Sequence, residues 1–347
     1  MKRLLVYIVL TTVFSFSVAA QNDFDIIKSK IINELFTKNS ELQLAKAVLT
    51  YKNINAEGSW PDINYQSTDA TKWPPATHLE RLQQLAIAYA NPKSIYHNNS
   101  SLYADISKGL AYWVQKNPRS NNWWHNDIAS PQSLGRILLL MNSAKQNLPQ
   151  QVESAVLARM QGTQSPFNFT GANKLDIAIH YIYRALITGN EKLMNMAVLE
   201  AFQPIEFTIG EGLQYDFSYL QHKEQLMISA YGLVFLQGEY NVAAWLSGTK
   251  YALSKEKLKL LNNYFFNSFL NSLRGGFTDF NTEGRGISRP NGLNRSSIAN
   301  NDEESGLLYN VALVNPDIIK EIDDIGKRVS GREKNSFHLA SAHYYYW

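Results

Sequence analysis

Five side chains in this sequence have the residue types that one demanding elimination reaction needs. Removing the proton from a carbon next to a carboxylate requires neutralisation of that carboxylate, a base near the proton and an acid near the departing oxygen. A uronic acid within a polysaccharide presents this problem, because a sugar oxygen must leave from the neighbouring carbon. The five candidates are Asn173 (in TGAN), His222 (ending YDFSYLQH), Tyr231 (nine residues later, before a glycine), and Arg285 and Arg289 (both in GRGISR).

Each residue type has its own use in that reaction. The Asn173 amide can hydrogen-bond a carboxylate without adding a competing charge, and the Tyr231 hydroxyl can act first as base and then as acid. A free tyrosine titrates at about pH 10, so a tyrosinate at neutral pH needs cationic neighbours, and Arg285 and Arg289 stay charged. Plain structural interpretations stay open for each: a turn asparagine, a hydrogen-bonded histidine, and arginines of a surface loop.

The spacing of His222 and Tyr231 constrains the local structure. Nine residues on a regular helix rotate by about 900°, which places the two side chains on opposite faces. If both serve one site, a loop over residues 210–222 must place His222 beside the helix that carries Tyr231.

A second segment combines paired tryptophans with asparagines. Flat indole rings can cover the apolar faces of sugars while amides bind hydroxyl groups, and burying so many amides in a core would be costly. A sugar platform is therefore favoured over core packing. The predicted substrate-binding residues are Asn122, Trp123 and Trp124, together with Gln221 from YDFSYLQH.

Apolar residues recur at helical spacing through most of the chain. The pattern places Pro131 at the first helical position after a Ser130 cap and a helix stop at Gly189. Strand-like alternation is nearly absent until residues 338–347. The predicted helices are residues 25–36, 77–89, 101–114, 131–141, 151–160, 172–187, 192–201, 225–236, 255–273 and 305–314.

This succession of helices favours an all-α fold of helical hairpins, an α/α barrel or toroid. A solenoid is the nearest rival, but no fixed sequence period supports it.

The N-terminus has the pattern of an export signal. Lys2 and Arg3 precede an apolar run over residues 4–16, and Val18-Ala19-Ala20 resembles a cleavage site. The run is shorter than the roughly 20 residues of a membrane span. We expect a secreted or periplasmic protein with no membrane contact after cleavage. Without residues 1–20 the chain has 327 residues and a formal charge of +1.

Composition and motifs exclude several classes of function. The near-neutral charge does not suggest a nucleic-acid binder. The sequence has no cysteine, which excludes a lipoprotein anchor and disulfides. None of its seven histidines stands in a metal-binding motif, so no metal or other cofactor is predicted. The expected partner is an acidic polysaccharide, bound by a monomer.

These motifs together resemble polysaccharide lyase family 8, the chondroitin AC, hyaluronate and xanthan lyases, and most closely its chondroitin AC branch. YDFSYLQH with Tyr231-Gly232, the TGAN and GRGISR segments and the Trp123-Trp124 segment carry the resemblance. Trp60-Pro61-Asp62-Ile63 and HLERL at 78–82 are also similar to the family, so the resemblance covers most of residues 55–292.

The resemblance implies an incomplete α/α toroid over residues 21–335. It also implies β-elimination on chondroitin- or hyaluronan-type glycans. Asn173 and His222 would bind the uronate carboxylate, Tyr231 would be base and acid, and Arg285 and Arg289 would support them.

The family continues into β domains that supply an acidic active-site residue, for which this sequence offers no match. Residues 336–347 would be the start of a truncated β domain. We therefore expect residues 21–347 to bind an acidic glycan but to cleave it poorly.

Two alternatives are a lyase for another polyuronate such as alginate, and a non-catalytic glycan-binding protein. A glycoside hydrolase is weaker, since it needs two placed carboxylates.

Overall fold

A computed structural model describes residues 23–299 and 306–330, and helices dominate that part of the chain. The first helix, α1, covers residues 23–37. The others are α2 (Glu41–Tyr51), α3 (Ala76–Ala90), α4 (Ser100–Lys116), α5 (Ser130–Ser143), α6 (Gln150–Met160), α7 (Gly171–Thr188), α8 (Glu191–Phe202), α9 (Tyr231–Leu246), α10 (Lys255–Tyr264), α11 (Leu307–Val314) and α12 (Ile319–Val329).

Several helices begin at a side chain that satisfies free backbone N–H groups. At α2 the Ser40 hydroxyl accepts from the Gln43 N–H, and the Gln43 side chain accepts from the Ser40 N–H. Asn99 and Ser254 cap α4 and α10 in the same way. The predicted stop at Gly189 is confirmed: α7 ends at Thr188, and Gly189 has a φ of +66°.

The helices predicted between residues 25 and 201 are confirmed, each within two residues of its predicted ends. The helix predicted over 225–236 is wrong at its start, because α9 begins only at Tyr231. The helix predicted over 255–273 leaves the α conformation after Tyr264 and continues as a π-helical turn and a 3₁₀ turn. Helices α2 and α12 were not predicted; α2 buries only Leu44 and so has no apolar stripe.

The predicted Ser130 cap is also wrong. Helical backbone already begins at Trp123 and continues through a π-helical turn at His125–Ala129 into α5. Ser130 is buried, and its N–H bonds to the His125 carbonyl. The Pro131 pattern therefore marks a widened turn inside a longer helical run.

The chain divides into two compact units. Of the described residues, the first unit comprises 23–165 and 179–197, and the second comprises 166–178, 198–299 and 306–330. Helix α7 contributes residues to both.

In the first unit, the two segments at Trp60–Ile63 and 78–82 pair with each other. His78 is buried; its Nδ1 lies 2.8 Å from the Tyr65 hydroxyl, and its Nε2 lies 3.0 Å from the Gly109 carbonyl. Arg81 donates to both carboxylate oxygens of Asp62, at 2.8 and 2.5 Å. These segments thus have structural roles in the α2–α4 region.

The second unit contains two small antiparallel sheets. The strands β1 (Gly212–Leu213), β2 (Tyr219–Gln221) and β3 (Gln225–Leu226) form a meander, in which Leu220 pairs with Gly212 on one side and Leu226 on the other. The strands β4 (Leu273–Arg274) and β5 (Phe277–Thr278) form a hairpin. Strands of two or three residues are too short to show an alternating pattern, so the sequence did not predict them.

Within residues 23–299 and 306–330, none of the helices combines the length and apolar character that a membrane crossing requires. The predicted signal peptide at 1–20 and the strand-like segment at 338–347 lie outside the described residues.

Candidate active site

Three of the five predicted catalytic residues meet in the second unit. The Tyr231 hydroxyl oxygen lies 2.9 Å from His222 Nε2 and 2.9 Å from Arg285 Nη2. The imidazole meets the phenol ring edge-on at a centroid distance of 5.0 Å. Because a guanidinium can only donate, the tyrosine oxygen accepts from Arg285 and can donate its own proton to His222 Nε2 when that nitrogen is unprotonated. The arrangement can therefore remove the hydroxyl proton and stabilise the resulting oxyanion.

His222 reaches Tyr231 because the chain between them is not helical. Residues 210–222 enter the β meander, and His222 follows directly after β2, in the turn to β3. His222 and Lys223 both have positive φ, at +55° and +69°, which reverses the chain. The expectation that a non-helical segment delivers His222 to the helix of Tyr231 is confirmed.

Tyr231 is the first residue of α9, and Gly232 lets that helix start fit against its neighbours. A Cβ at position 232 would collide with the Tyr264 hydroxyl and lie 3.2 Å from the Tyr219 Cβ. The Tyr264 hydroxyl donates to the Ile228 carbonyl at 3.1 Å. A side chain at position 232 would thus displace the turn that presents the Tyr231 hydroxyl.

Arg285 lies in a 3₁₀ turn, Gly284–Ser288, that a buried ion pair supports. Glu283, directly before this turn, pairs with Arg295, which also donates to the Ser229 carbonyl at 3.2 and 2.9 Å. Burial raises the pKa of the Glu283 carboxyl, and the Arg295 charge opposes that rise. Arg295 therefore joins the segment that precedes Tyr231 to the segment that precedes Arg285. Tyr231 and Arg285 are the two residues of the hydroxyl–guanidinium contact.

Hydroxyl groups around Ser229 form a buried cluster. Ser229 Oγ lies 2.8 Å from Ser272 Oγ and 3.0 Å from Thr282 Oγ1, and the Thr278 hydroxyl also contacts it. The Ser229 N–H donates to the Thr282 carbonyl at 3.0 Å. The cluster fixes the segment that enters α9.

Asn173 lies half-buried in the first turn of α7. Two residues before it, Gly171 has a φ of +53°, and a Cβ there would lie 2.7 Å from the Tyr219 hydroxyl oxygen. Next to Asn173, Lys174 forms a buried ion pair with Glu200 at 2.7 Å. The start of α7 is thus held against strand β2, the strand that leads into His222.

Arg289 ends the 3₁₀ turn that carries Arg285, and its side chain is exposed. Burial raises the pKa of Glu283, and the positive charge of Arg289, like that of Arg295, opposes this rise. The two motif arginines therefore have different surroundings, and only Arg285 bonds to Tyr231 among the contacts described.

Gln221, predicted to bind substrate, is buried with 3 % of its surface exposed. Its Nε2 donates to Glu211 Oε2 at 2.5 Å. This geometry favours a role in positioning its neighbour His222.

The predicted aromatic platform lies in the first unit. Trp123 and Trp124 expose 38 and 40 % of their surfaces, so they are not core residues. The Asn122 amide is used within the fold: its Oδ1 accepts from the Trp124 N–H and its Nδ2 donates to the Ala70 carbonyl. Asn126 makes two hydrogen bonds with the Ser120 backbone.

Trp124 also borders a groove of about 860 Å³ within the first unit. Lys46, Arg81 and Arg136 line the groove together with Gln43. Glu80 also lines the groove and Arg81 is paired with Asp62, so Lys46 and Arg136 supply most of its cationic character.

Among the residues that the structure describes, no cluster of three or more His, Asp or Glu side chains could hold a metal ion.

Sequence reasoning missed Glu211, Glu283 and Arg295. Each supports the site by bonding to a side chain at least ten positions away in the sequence. No local motif marks such contacts, so only the folded chain reveals them.

Comparisons with known proteins identify the family. Residues 18–318 match the family model described as "Polysaccharide lyase family 8, N terminal alpha-helical domain". Chondroitinase-AC of Pedobacter heparinus is 44 % identical over 273 residues, which cover 76 % of this chain and 39 % of the relative. Hyaluronate lyase HylB of Enterococcus faecalis is 24 % identical over 291 residues, 76 % of this chain and 28 % of the relative.

Solved structures give the fold class. The structure of a chondroitinase AC lyase matches with a TM-score of 0.84 and 38 % identity, over 90 % of this chain and 45 % of that chain. A Paenibacillus xanthan lyase matches with a TM-score of 0.70 at 19 % identity, over 90 % of this chain and 34 % of that one. The predicted all-α, α/α toroid class is confirmed. The chain spans less than half the length of these relatives.

Proposed function

This chain belongs to polysaccharide lyase family 8, and on that premise we propose that it cleaves uronic-acid-containing glycans of the chondroitin or hyaluronan type by β-elimination. The contact of the Tyr231 hydroxyl with His222 Nε2 and Arg285 Nη2, both at 2.9 Å, carries the proposal. It combines a proton-transfer group, a proton acceptor and a fixed positive charge at one oxygen.

In the proposed reaction, the Tyr231 oxygen removes the proton from C5 of the uronate. The electron pair of that C–H bond forms the C4–C5 double bond, and the bond from C4 to the glycosidic oxygen breaks. Tyr231 then returns the proton to the departing oxygen. Arg285 stabilises the tyrosinate by a charge-assisted hydrogen bond. The contact is exposed to solvent, so water screens part of that interaction.

The remaining residues have proposed supporting roles. The Asn173 amide and the His222 imidazole would bind the uronate carboxylate and so favour the enolate. His222 would also accept the Tyr231 proton before substrate binds. The exposed Arg289 would contribute positive charge to the same acidic substrate. In the first unit, Trp123 and Trp124 would stack on sugar rings of an acidic glycan.

The activities of the relatives support the substrate class. The 44 % identical relative is a chondroitinase AC, and a more distant one is a hyaluronate lyase. We propose an acidic polysaccharide as the substrate of this chain and, from the predicted signal peptide, a secreted or periplasmic site of action for a monomer.

The test is a panel of chondroitin, hyaluronan, xanthan and alginate, with ultraviolet absorbance reporting the conjugated double bond of the unsaturated uronate. We expect product from chondroitin or hyaluronan. Product from alginate alone would favour the other polyuronate. Binding without any product would favour a glycan-binding protein and contradict the proposed catalysis.

A further inference from the structure

The Glu211 carboxylate bonds to a turn that lies ten to twelve residues further along the chain. Glu211 directly precedes β1, yet both of its oxygens contact the turn that follows β2. Its Oε1 accepts from the Lys223 N–H at 2.7 Å, and its Oε2 accepts from Gln221 Nε2 at 2.5 Å. The two donors belong to the residues immediately before and after His222.

The turn that Glu211 holds is one that the sequence does not favour. His222 and Lys223 are consecutive non-glycine residues with φ of +55° and +69°. Side chains with a Cβ rarely adopt this left-handed region, and it persists where the surroundings enforce it. A charged acceptor on the Lys223 N–H makes a stronger hydrogen bond than a neutral one would. Glu211 thus supplies a force that keeps the turn, and with it His222, in this conformation.

Gln221 links the turn after β2 to the start of α7. Its side chain is buried, and its Oε1 would lie 3.1 Å from a Cβ at Gly171, at the start of the helix that carries Asn173. The Glu211–Gln221 pair therefore touches both segments that present the proposed carboxylate-binding side chains.

We propose that Glu211 is a positioning residue for the lyase reaction: by holding the Gln221–Lys223 turn, it keeps His222 Nε2 within hydrogen-bond distance of the Tyr231 hydroxyl. The inference rests on the function proposed above and adds to it a residue that touches neither Tyr231 nor Arg285 in the described contacts. Misplacing a reacting group by about 1 Å can cost a factor of about 100 in rate.

The first variant is Glu211→Gln. Its amide has one oxygen and one NH₂ group, but both partners are donors, so one hydrogen bond must be lost. We expect kcat to fall about 10- to 100-fold, with a smaller change in KM, because the proposed glycan contacts other than His222 stay in place.

The reciprocal swap, Glu211→Gln with Gln221→Glu, distinguishes positioning from general damage. In the swap, the amide oxygen introduced at position 211 can accept from the Lys223 N–H, while the NH₂ group of the same amide donates to the carboxylate introduced at position 221. The single variant Gln221→Glu instead places two carboxylates together. We expect both single variants to be slow and the swap to recover most of the lost kcat.

Glu224→Gln is the matched control. Glu224 is exposed, lies two residues from His222 and loses the same charge. We expect this variant to keep the wild-type kcat, which separates the effect of geometry from that of charge near His222.

A readout independent of turnover keeps the positioning proposal testable if the glycan panel gives no product. In isotope-labelled histidine spectra of the full chain, the His222 ring signal is assigned by its loss in His222→Ala. We expect Glu211→Gln to shift that signal towards its position in Tyr231→Phe, and the swap to return it.

An unchanged His222 signal in Glu211→Gln would overturn the proposal whether or not the chain is a lyase. A shifted signal in a chain that cleaves no glycan would sustain the positioning role and contradict the proposed function. A wild-type kcat in Glu211→Gln would also overturn the positioning proposal. So would a swap variant that is as slow as the two single variants.

Discussion

At the scale of the residue, the ring and the hydroxyl group of Tyr231 make different contacts. Its ring contacts the His222 imidazole edge-on and lies 5.8 Å from the Arg285 guanidinium carbon, whereas its hydroxyl makes both short hydrogen bonds. Replacing Tyr231 by Phe keeps the ring contacts and removes the proton-transfer group. The two functions can therefore be measured separately.

We expect Tyr231→Phe to reduce cleavage by about 10²- to 10⁴-fold while glycan affinity stays close to that of the wild type. Product absorbance measures the first quantity and calorimetric titration the second. Tyr215→Phe is the matched control, since Tyr215 is 71 % exposed and stacks on Phe207, and its hydroxyl has no role in the proposed reaction. Turnover at the wild-type rate would remove Tyr231 from the mechanism.

At the scale of the element, the helical run from Trp123 through α5 presents two indole rings to solvent while its later residues enter the core. The exposure of Trp123 and Trp124 predicts a loss of binding rather than of stability when both are replaced by Ala. Stacking of this kind contributes about 1 kcal/mol per ring, so we expect roughly tenfold or greater weakening of glycan affinity. Thermal unfolding serves as the control; a large fall in melting temperature with unchanged affinity would show that the rings stabilise the fold instead.

The 3₁₀ turn of Arg285 depends on a buried ion pair. Removing one partner of such a pair leaves the other charge buried without compensation, which typically costs about 3 kcal/mol. We therefore expect Arg295→Gln to lower the free energy of unfolding by about that amount and to slow cleavage, because the Ser229 and Glu283 anchors are lost together. Urea unfolding measures the first effect, with the exposed Lys320→Gln as control; a loss below about 0.5 kcal/mol would argue against the pair as an anchor.

At the scale of the whole molecule, buried histidines in the first unit make stability depend on pH. Burial lowers the pKa of His78 to about 4 and that of His180 to about 3, against about 6.5 in an unfolded chain. Below pH 6.5 the unfolded chain binds protons that the native protein does not, so stability is present above this pH and is lost as pH falls towards the folded-state values.

We expect the free energy of unfolding to fall by about 1.4 kcal/mol per pH unit for each of these histidines between pH 6.5 and 4. Urea unfolding at several pH values in this window measures the slope. His78→Gln should reduce the slope, whereas replacing the exposed His97 by Gln should not. Equal slopes in all three proteins would contradict a buried neutral His78.

The sequence by itself determined most of the helices with a buried stripe, because apolar residues at helical spacing can be read without knowing their partners. Helix α12 was missed although Ile322, Ile325 and Val329 form such a stripe. It also indicated all five proposed catalytic residues, since Asn, His, Tyr and Arg in short motifs carry their chemistry in their type. The rule of about 100° per residue further showed that His222 and Tyr231 could serve one site only if the chain between them is not one regular helix.

Only the tertiary structure decided how those residues meet. The two- and three-residue strands around His222 pair with their neighbours in the chain, but they are too short to show an alternating pattern in the sequence. The contacts of Glu211 with the His222 turn and of Arg295 with Glu283 and Ser229 join residues that are remote in the chain. Gln221 shows the difference most clearly: its place in the motif suggested a substrate contact, but burial beside Glu211 favours support of His222. Residue type is local information, whereas position in a site depends on long-range packing.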